Sequence, residues 1–314
     1  MIKLDDPIFT DADKARAFLE AQRWPDGPEC PHCGAVNDAT GLQGKAHRAG
    51  VYQCNACREQ FSVTVGTVFE RSKIPLNKWL HGTFLMTSSK KGISAHQLGR
   101  MLGLTYKTAW FMAHRIRMAM AESNPGPMGG EGKTVEADET YFGKLETPRK
   151  RSKYYPPYTK GGRGPAHKRA VFGLVERGGN VRTFHIQNAT ADQVHDIIVT
   201  NASRKSSLHT DESRIYVMVG NEFEKHQTVK HAANEYVRGD VHTNTVENVW
   251  SVFKRGMHGT YQHCGESHLH RYLSEFDFRY NYRMKLGYSD TARAVIALKS
   301  IGGKRLMYQR PAEA

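Results

Sequence analysis

The stretch Thr134-Val135-Glu136-Ala137-Asp138-Glu139-Thr140-Tyr141-Phe142 reads as a β-strand carrying three acidic residues. Side chains of a strand alternate between faces, which sets Val135, Ala137 and Glu139 on one side and Glu136, Asp138 and Thr140 on the other. Alternation alone does not single out Asp138, because Glu136 shares its face. Beyond this strand the pattern predicts strands over 170–176 and 181–187 around Gly178-Gly179-Asn180, a helix over about 190–203, and a strand ending near Asp211. A strand-rich start followed by alternating elements predicts a mixed sheet flanked by helices. The segment 246–283, rich in Phe, Trp, Tyr and Leu, is expected to be mainly helical and to pack on that sheet, with tyrosines of Arg279-Tyr-Asn-Tyr-Arg283 in the core and its arginines exposed.

Two further acids fall at element ends. Asp211 follows Ser207-Leu-His-Thr210, and Glu247 opens the apolar-periodic helix Val246-Glu-Asn-Val-Trp-Ser-Val-Phe253, with thirty-five residues between Asp211 and Glu247 and Lys254 seven positions beyond. Strand ends and helix starts are where a sheet enzyme converges carboxylates. Asp138, Asp211 and Glu247 could hold hard divalent cations, and two such ions can drive in-line displacement at a phosphodiester. Lys254, about two turns after Glu247, could fix a phosphate nearby. Because the chain holds 31 Asp and Glu, three acids mean little without their surroundings.

Those surroundings are basic. The 314 residues carry a formal net charge of +14, which makes an anionic partner, nucleic acid first, the expectation. No apolar run is long enough to span a bilayer and no signal-like segment opens the chain, so a soluble, cytoplasmic protein without a membrane partner is expected. Five cysteines do not suit a disulfide framework. Four fall in two pairs, Cys30-x-x-Cys33 and Cys54-x-x-Cys57, with twenty residues between, the spacing of a tetrahedral zinc site. Zinc binding can contribute about 10 to 16 kcal/mol of apparent folding free energy, enough to hold a small module with little core. The ribbon either contacts DNA or serves only as a staple. Cys264 is left over and is expected to be a buried small hydrophobe.

Between ribbon and strand the periodicity is helical. Ser94-Ala-His-Gln97 has the form of a capping box, and Gly103-Leu104-Thr105 is a turn into a further helix, a helix-turn-helix-like arrangement. Tyr106, Lys107 and Thr108 at its start could enter a groove of DNA, while His114, Arg115 and Arg117 follow, the arginines placed to hold phosphates. A plain helical hairpin with a solvated basic face fits the same pattern. The insertion 144–169 is basic, aromatic and rich in Pro and Gly. It holds Arg149, Lys150, Arg151 and Lys153, suited to tracking a phosphate backbone, with tyrosines that could stack on bases.

The cysteine module, Val135-Glu-Ala-Asp138-Glu-Thr-Tyr-Phe-Gly143, Asp211-Glu212, and His242-Thr-Asn-Thr-Val-Glu247-Asn-Val-Trp-Ser-Val-Phe-Lys254-Arg-Gly-Met-His-Gly-Thr-Tyr261 together resemble insertion-sequence DDE transposases of the subgroup with an N-terminal zinc ribbon, over roughly residues 25–285. The resemblance implies an RNase H-like catalytic domain, catalytic Mg²⁺ or Mn²⁺ beside structural zinc, binding to the terminal inverted repeats of a mobile element, and a bacterial, nucleoid-associated location. It makes Asp138 and Asp211 the first two metal ligands. For the third it leaves Glu247 and Asn244, and the charge of Glu247 and its spacing to Lys254 favour it.

The expected organisation is therefore a multidomain α+β chain: a helical lead-in over 1–24, a zinc ribbon over 25–70, a helix-turn-helix-like DNA-binding unit over 76–121, a linker over 122–133, an RNase H-like mixed α/β catalytic domain over 134–290, and a tail over 291–314. The expected activity is metal-dependent cleavage and transfer of DNA strands at element ends, by a homodimer or larger assembly. The rivals are a non-catalytic DNA-binding descendant and an RNase H-like nuclease that does not join strands.

Overall fold

The computed structural model describes residues 2–122, 125–146 and 167–307. The chain folds as two compact units, one made of Met1–Ala121 with Tyr282–Ala314, the other of Glu122–Asn281.

The first unit begins with α1 (Ala12–Arg23), whose Asp11 side chain accepts from the amides of Asp13 and Lys14 and so caps two of the free N–H groups of the first turn. Strands β1 (Ala39–Gly41), β2 (Val51–Cys54) and β3 (Gln60–Ser62) make an antiparallel ribbon in that order. Its small core is aromatic: Trp24 stands edge-on to Tyr52 and Phe61. Helices α2 (Leu76–Ser88), α3 (Ala95–Leu102) and α4 (Tyr106–Met120) follow. The Ser94 side chain accepts from the Gln97 amide as the capping box requires. The turn out of α3 is closed by Gly103, whose φ of 60° lies in the left-handed region that favours glycine. Thr105 then caps α4.

The second unit is built on a five-stranded sheet. β4 (Thr134–Phe142), β5 (Arg169–Glu176) and β6 (Val181–Ile186) form an antiparallel meander; α5 (Ala191–Asn201) crosses to β7 (Ser207–Asp211), which lies parallel to β4, and the short α6 (Val217–Gly220) leads to β8 (Lys225–Val229), parallel to β7. The spatial order is β6-β5-β4-β7-β8. A two-residue hairpin, β9 (Val237–Arg238) with β10 (Val241–His242), precedes α7 (Asn244–Gly256); a π-helical turn at Met257–Tyr261 follows it, and α8 (Leu269–Asn281) ends the unit.

The alternation of β4 divides the core. Val135 and Ala137 pack with Val194 and Ile198 of α5 on one face. On the other, Phe142, Val171 and Val175 pack with Val246, Trp250 and Phe253 of α7 and with Leu273 and Phe276 of α8. Strand β6 lies at the edge of the sheet, where unpaired backbone groups invite association. Side chains of α8 occupy them: Asn281 accepts from the Val181 amide and donates to its carbonyl, and Asp277 accepts from the Thr183 amide.

Three expectations change at this level. Arg279, expected on the surface, is buried and donates to Glu275 of the preceding turn, with its guanidinium 4.6 Å from the Phe276 ring centre. The segment 122–133, read as a linker, is tied down in part: Met128 is buried and bridges Ala202, and the Gly129 amide donates to Glu176. Residues 291–314, read as a tail, contain most of α9 (Asp290–Lys299), which packs on α1, α2 and α4 with Ala294, Ala297 and Leu298 buried. Arg149, Lys150, Arg151 and Lys153 lie outside the described residues.

Candidate functional site

The two short cysteine loops of the ribbon bring four sulfurs together. Cys30 Sγ lies 3.7 Å from Cys57 Sγ and Cys33 Sγ lies 3.6 Å from Cys54 Sγ, and all four lie within 4.8 Å of one another. Zn–S bonds of about 2.3 Å give a tetrahedron with edges of roughly 3.8 Å, so the thiols are spaced as zinc ligands. Cys264 is buried, as expected. Among the described residues the four cysteines are the one group of three or more Cys, His, Asp or Glu gathered closely enough to hold a metal ion.

The acids of the second unit are arranged by strand register. β4 and β7 pair in parallel as far as Glu136 opposite His209, and Asp138 and Asp211 each follow two residues further along these neighbouring strands, near enough for the charge of Asp211 to act on Asp138. Neighbouring strands lie about 4.8 Å apart. Burial pushes the Asp138 carboxyl up to about 8, with the negative charges of Glu139 and Asp211 adding to the effect and the Trp250 hydrogen bond opposing it. Burial also raises Asp211, with Glu212 adding to the effect and the Ser213 amide and His231 opposing it. Glu139 points to the opposite face, where it accepts from Tyr216 Oη at 2.6 Å; its carboxyl too is raised by burial. Asp138 and Asp211 form a pair of raised carboxyl groups, oxygen donors of the kind that hard divalent cations take.

Helix α7 lies over this pair. Trp250 Nε1 donates to Asp138 at 2.9 Å, and the indole fits because the residue facing Asp138 on β5 is Gly173, where a Cβ would come within 2.6 Å of the ring. Asn244 and Glu247 are both exposed on the first turn. Glu247 accepts from Thr243 Oγ1 at 3.0 Å and lies 3.8 Å from His231 Nε2, so it is not gathered with Asp138 and Asp211 into one close set of ligands. His231 is in turn anchored through its amide, which donates to Glu212. Lys254 is half-buried in the last turn of α7.

In the first unit, Tyr106 and Lys107 are exposed and Thr108 half-buried at the start of α4, with Tyr106 stacked on His96 at 4.2 Å. The arginines differ from expectation. Arg117 is 2% exposed on the inner face of the helix, alongside Ala113 and Met120, and is no surface group for a phosphate. Arg115 donates to the carbonyls of Glu70 and Leu306, and His114 is buried. Four-residue spacing set His114 in the row of Trp110 and Arg117 in that of Ala113, which turns both inward.

Compared with known proteins, residues 129–281 match the family described as the ISXO2-like transposase domain, and residues 10–60 match the transposase zinc-ribbon domain. The chain belongs to the insertion-sequence transposases with an N-terminal zinc ribbon. An uncharacterized protein in transposable element ISH50 of Halobacterium salinarum is 29% identical to the transposase over 284 residues, 87% of this chain and 92% of its own. A solved pre-cleavage Mos1 transpososome covers 59% of this chain and 72% of that chain at 8% identity, with a TM-score of 0.19, too low to speak for a common fold. No described helix of the transposase is long and apolar enough to cross a membrane.

Sequence reasoning missed three residues around the acids of this transposase. Glu136 was noticed only as a competitor of Asp138 for one strand face, yet it is wholly buried and saturated with donors. Gly173 carried a usable signal, an isolated glycine inside a strand, which often marks a close approach. His231 carried none, since a lone histidine in a loop has no pattern to betray it.

Proposed function

We propose that the protein is a DDE-type DNA transposase whose second unit is an RNase H-like catalytic domain. The observation that carries this is the side-by-side placement of Asp138 and Asp211 at adjacent parallel strands under α7. A meander of three antiparallel strands extended by two parallel ones, with α5 on one face and α7 on the other, supports the fold assignment.

Asp138 and Asp211 would hold catalytic Mg²⁺ or Mn²⁺, with Glu247 as third ligand; Asn244, one turn earlier, is the alternative. Cations bound there would supply the Lewis-acid chemistry of in-line displacement at a phosphodiester. Trp250 fixes the orientation of Asp138, and Lys254 sets an ammonium two turns along from Glu247 to hold a phosphate. The helix-turn-helix-like pair α3 and α4 offers Tyr106, Lys107 and Thr108 to the terminal repeats, and the basic insertion with Arg149, Lys150, Arg151 and Lys153 offers a phosphate-tracking surface. Zinc in the ribbon is structural. Two element ends must be held together, which calls for a homodimer or larger assembly acting on double-stranded DNA in the bacterial cytoplasm, at the nucleoid.

The test is strand cleavage and transfer with labelled element-end DNA and Mg²⁺ or Mn²⁺. Asp138→Ala and Asp211→Ala are expected to abolish joined product while end binding persists, and Glu247→Ala against Asn244→Ala assigns the third ligand. Specific end binding by the wild type without cleavage or joining would sink the catalytic reading in favour of a DNA-binding descendant; cleavage without joining would leave a nuclease.

A further inference from the structure

One carboxylate on the acid face has no part in the chemistry above. Glu136 is 0% exposed, and both of its oxygens are filled. Oε1 accepts from Arg177 Nε at 3.0 Å and Nη2 at 2.9 Å and from Thr245 Oγ1 at 2.8 Å; Oε2 accepts from the amides of Thr245 at 2.8 Å and Val246 at 3.1 Å. Arg177 continues the network to the carbonyl of His242 at 3.2 Å and lies 3.3 Å from His209 Nδ1. One ion pair, its carboxylate wholly buried and its guanidinium 27% exposed, thus joins β4, the turn after β5, β7, β10 and the first turn of α7.

The placement of these contacts is specific. Thr243 precedes α7 without capping it through its side chain, so the free amides at the start of that helix are satisfied by an acid from another element. Glu136 stands two residues before Asp138, and His209 two before Asp211, which puts the network about 7 Å beneath the acid pair at 3.3 Å of rise per residue. A buried carboxylate is weak evidence for stability, because its desolvation can exceed the attraction of its partner; fixing a register is the better reason to keep one.

We infer that Glu136 and Arg177 form a positioning pair that sets the start of α7, and with it Asn244, Glu247 and Trp250, against Asp138 and Asp211. The inference rests on the catalytic reading of that face. It makes Glu136 a positioning residue: the carboxylate touches no reacting atom and acts through the ligands.

The decisive comparison separates position from stability. Glu136→Gln alone leaves the half-buried Arg177 facing a neutral amide and lowers the Tm. Glu136→Gln with Arg177→Met removes both charges and recovers most of it. The zinc-loaded full chain is assayed for Tm, Mn²⁺ affinity by electron paramagnetic resonance, end-DNA binding and strand cleavage. The double variant is expected to fold and bind end DNA as the wild type does, yet to bind Mn²⁺ and cleave about 10- to 100-fold more weakly, the usual cost of losing a supporting contact behind a metal ligand. Thr245→Val keeps the shape of that side chain and deletes one donor; it is expected to weaken Mn²⁺ binding several-fold at unchanged Tm, and it carries the test if the charge variants do not fold. A double variant, or Thr245→Val, that binds Mn²⁺ and cleaves like the wild type overturns the inference and leaves the catalytic reading standing. A wild type without Mn²⁺ binding sensitive to Asp138→Asn overturns both.

Discussion

The ribbon and the acid face are both sets of would-be metal ligands, and they are assembled in opposite ways. Cys30, Cys33, Cys54 and Cys57 come from two tight loops of one hairpin module, and their sulfurs already stand at zinc-ligand spacing. Asp138 and Asp211 come from strands separated in sequence by β5, β6 and α5, and they meet only because β4 and β7 pair in one parallel register. The ribbon has little core besides Trp24, Tyr52 and Phe61, so the metal must supply the cohesion. The acid face has two full cores behind it and can afford carboxylates that destabilise one another. The thiol cluster leans on an ion for its cohesion; the acid pair is imposed by a fold that resists it.

The sharpest break of that contrast is Cys54→Ser. Loss of one thiolate is expected to drop bound zinc, measured by mass spectrometry of the metal, and to unfold the ribbon, on a scale of about 10 kcal/mol of binding energy. Asp138→Asn should do the reverse in the absence of divalent cation. The folded-state value of about 8 lies above that of an unfolded aspartate, so the protonated carboxyl stabilises the fold at acid pH and that contribution is lost as pH rises toward and through 8. The wild type is therefore expected to lose on the order of a few kcal/mol relative to Asp138→Asn between pH 4 and 9, read from denaturant midpoints, and Mn²⁺ should restore it. An equal pH dependence in the two proteins would remove the premise that the fold holds Asp138 under strain. Gly173→Ala comes next: a methyl 2.6 Å from the Trp250 ring must displace it, at about 1 to 3 kcal/mol by thermal melt, and strand cleavage should fall with it. The smallest effect is expected at Lys107, where replacement by Ala should weaken end binding a few-fold and flatten the slope of log K against log salt by about 0.9, with Tm unchanged.

How far the sequence could be read follows the same division. The cysteine spacing, the Ser94 cap, the Gly103 turn and the two faces of β4 are local, and local rules found them. Neither the direction of β7 relative to β4 nor the strand order has a local signal, since both depend on which distant strand pairs with which. Arginines were the poorest guide. Charge alone put Arg117 and Arg279 at the surface, whereas their long apolar stems and nearby partners take both inside. Glu136 shows the converse: it shares a strand face with Asp138, and what tells the two acids apart is the donors that reach them, five at Glu136 and the Trp250 indole N–H at Asp138.

The return of α9 to the first unit has a consequence for the order in which the protein is made. The second unit is one unbroken segment, Glu122–Asn281, whereas the first is begun by the N-terminus and finished by Tyr282–Ala314. At about 5 to 20 residues per second of synthesis, α4 waits roughly 10 to 35 s and α1 roughly 15 to 55 s for the partner that covers them. During that interval the second unit, an unbroken segment, is complete, while the apolar faces of α1, α2 and α4 that α9 covers stay open. A message cut short before α9 therefore yields a chain with a sticky first unit, fit for degradation.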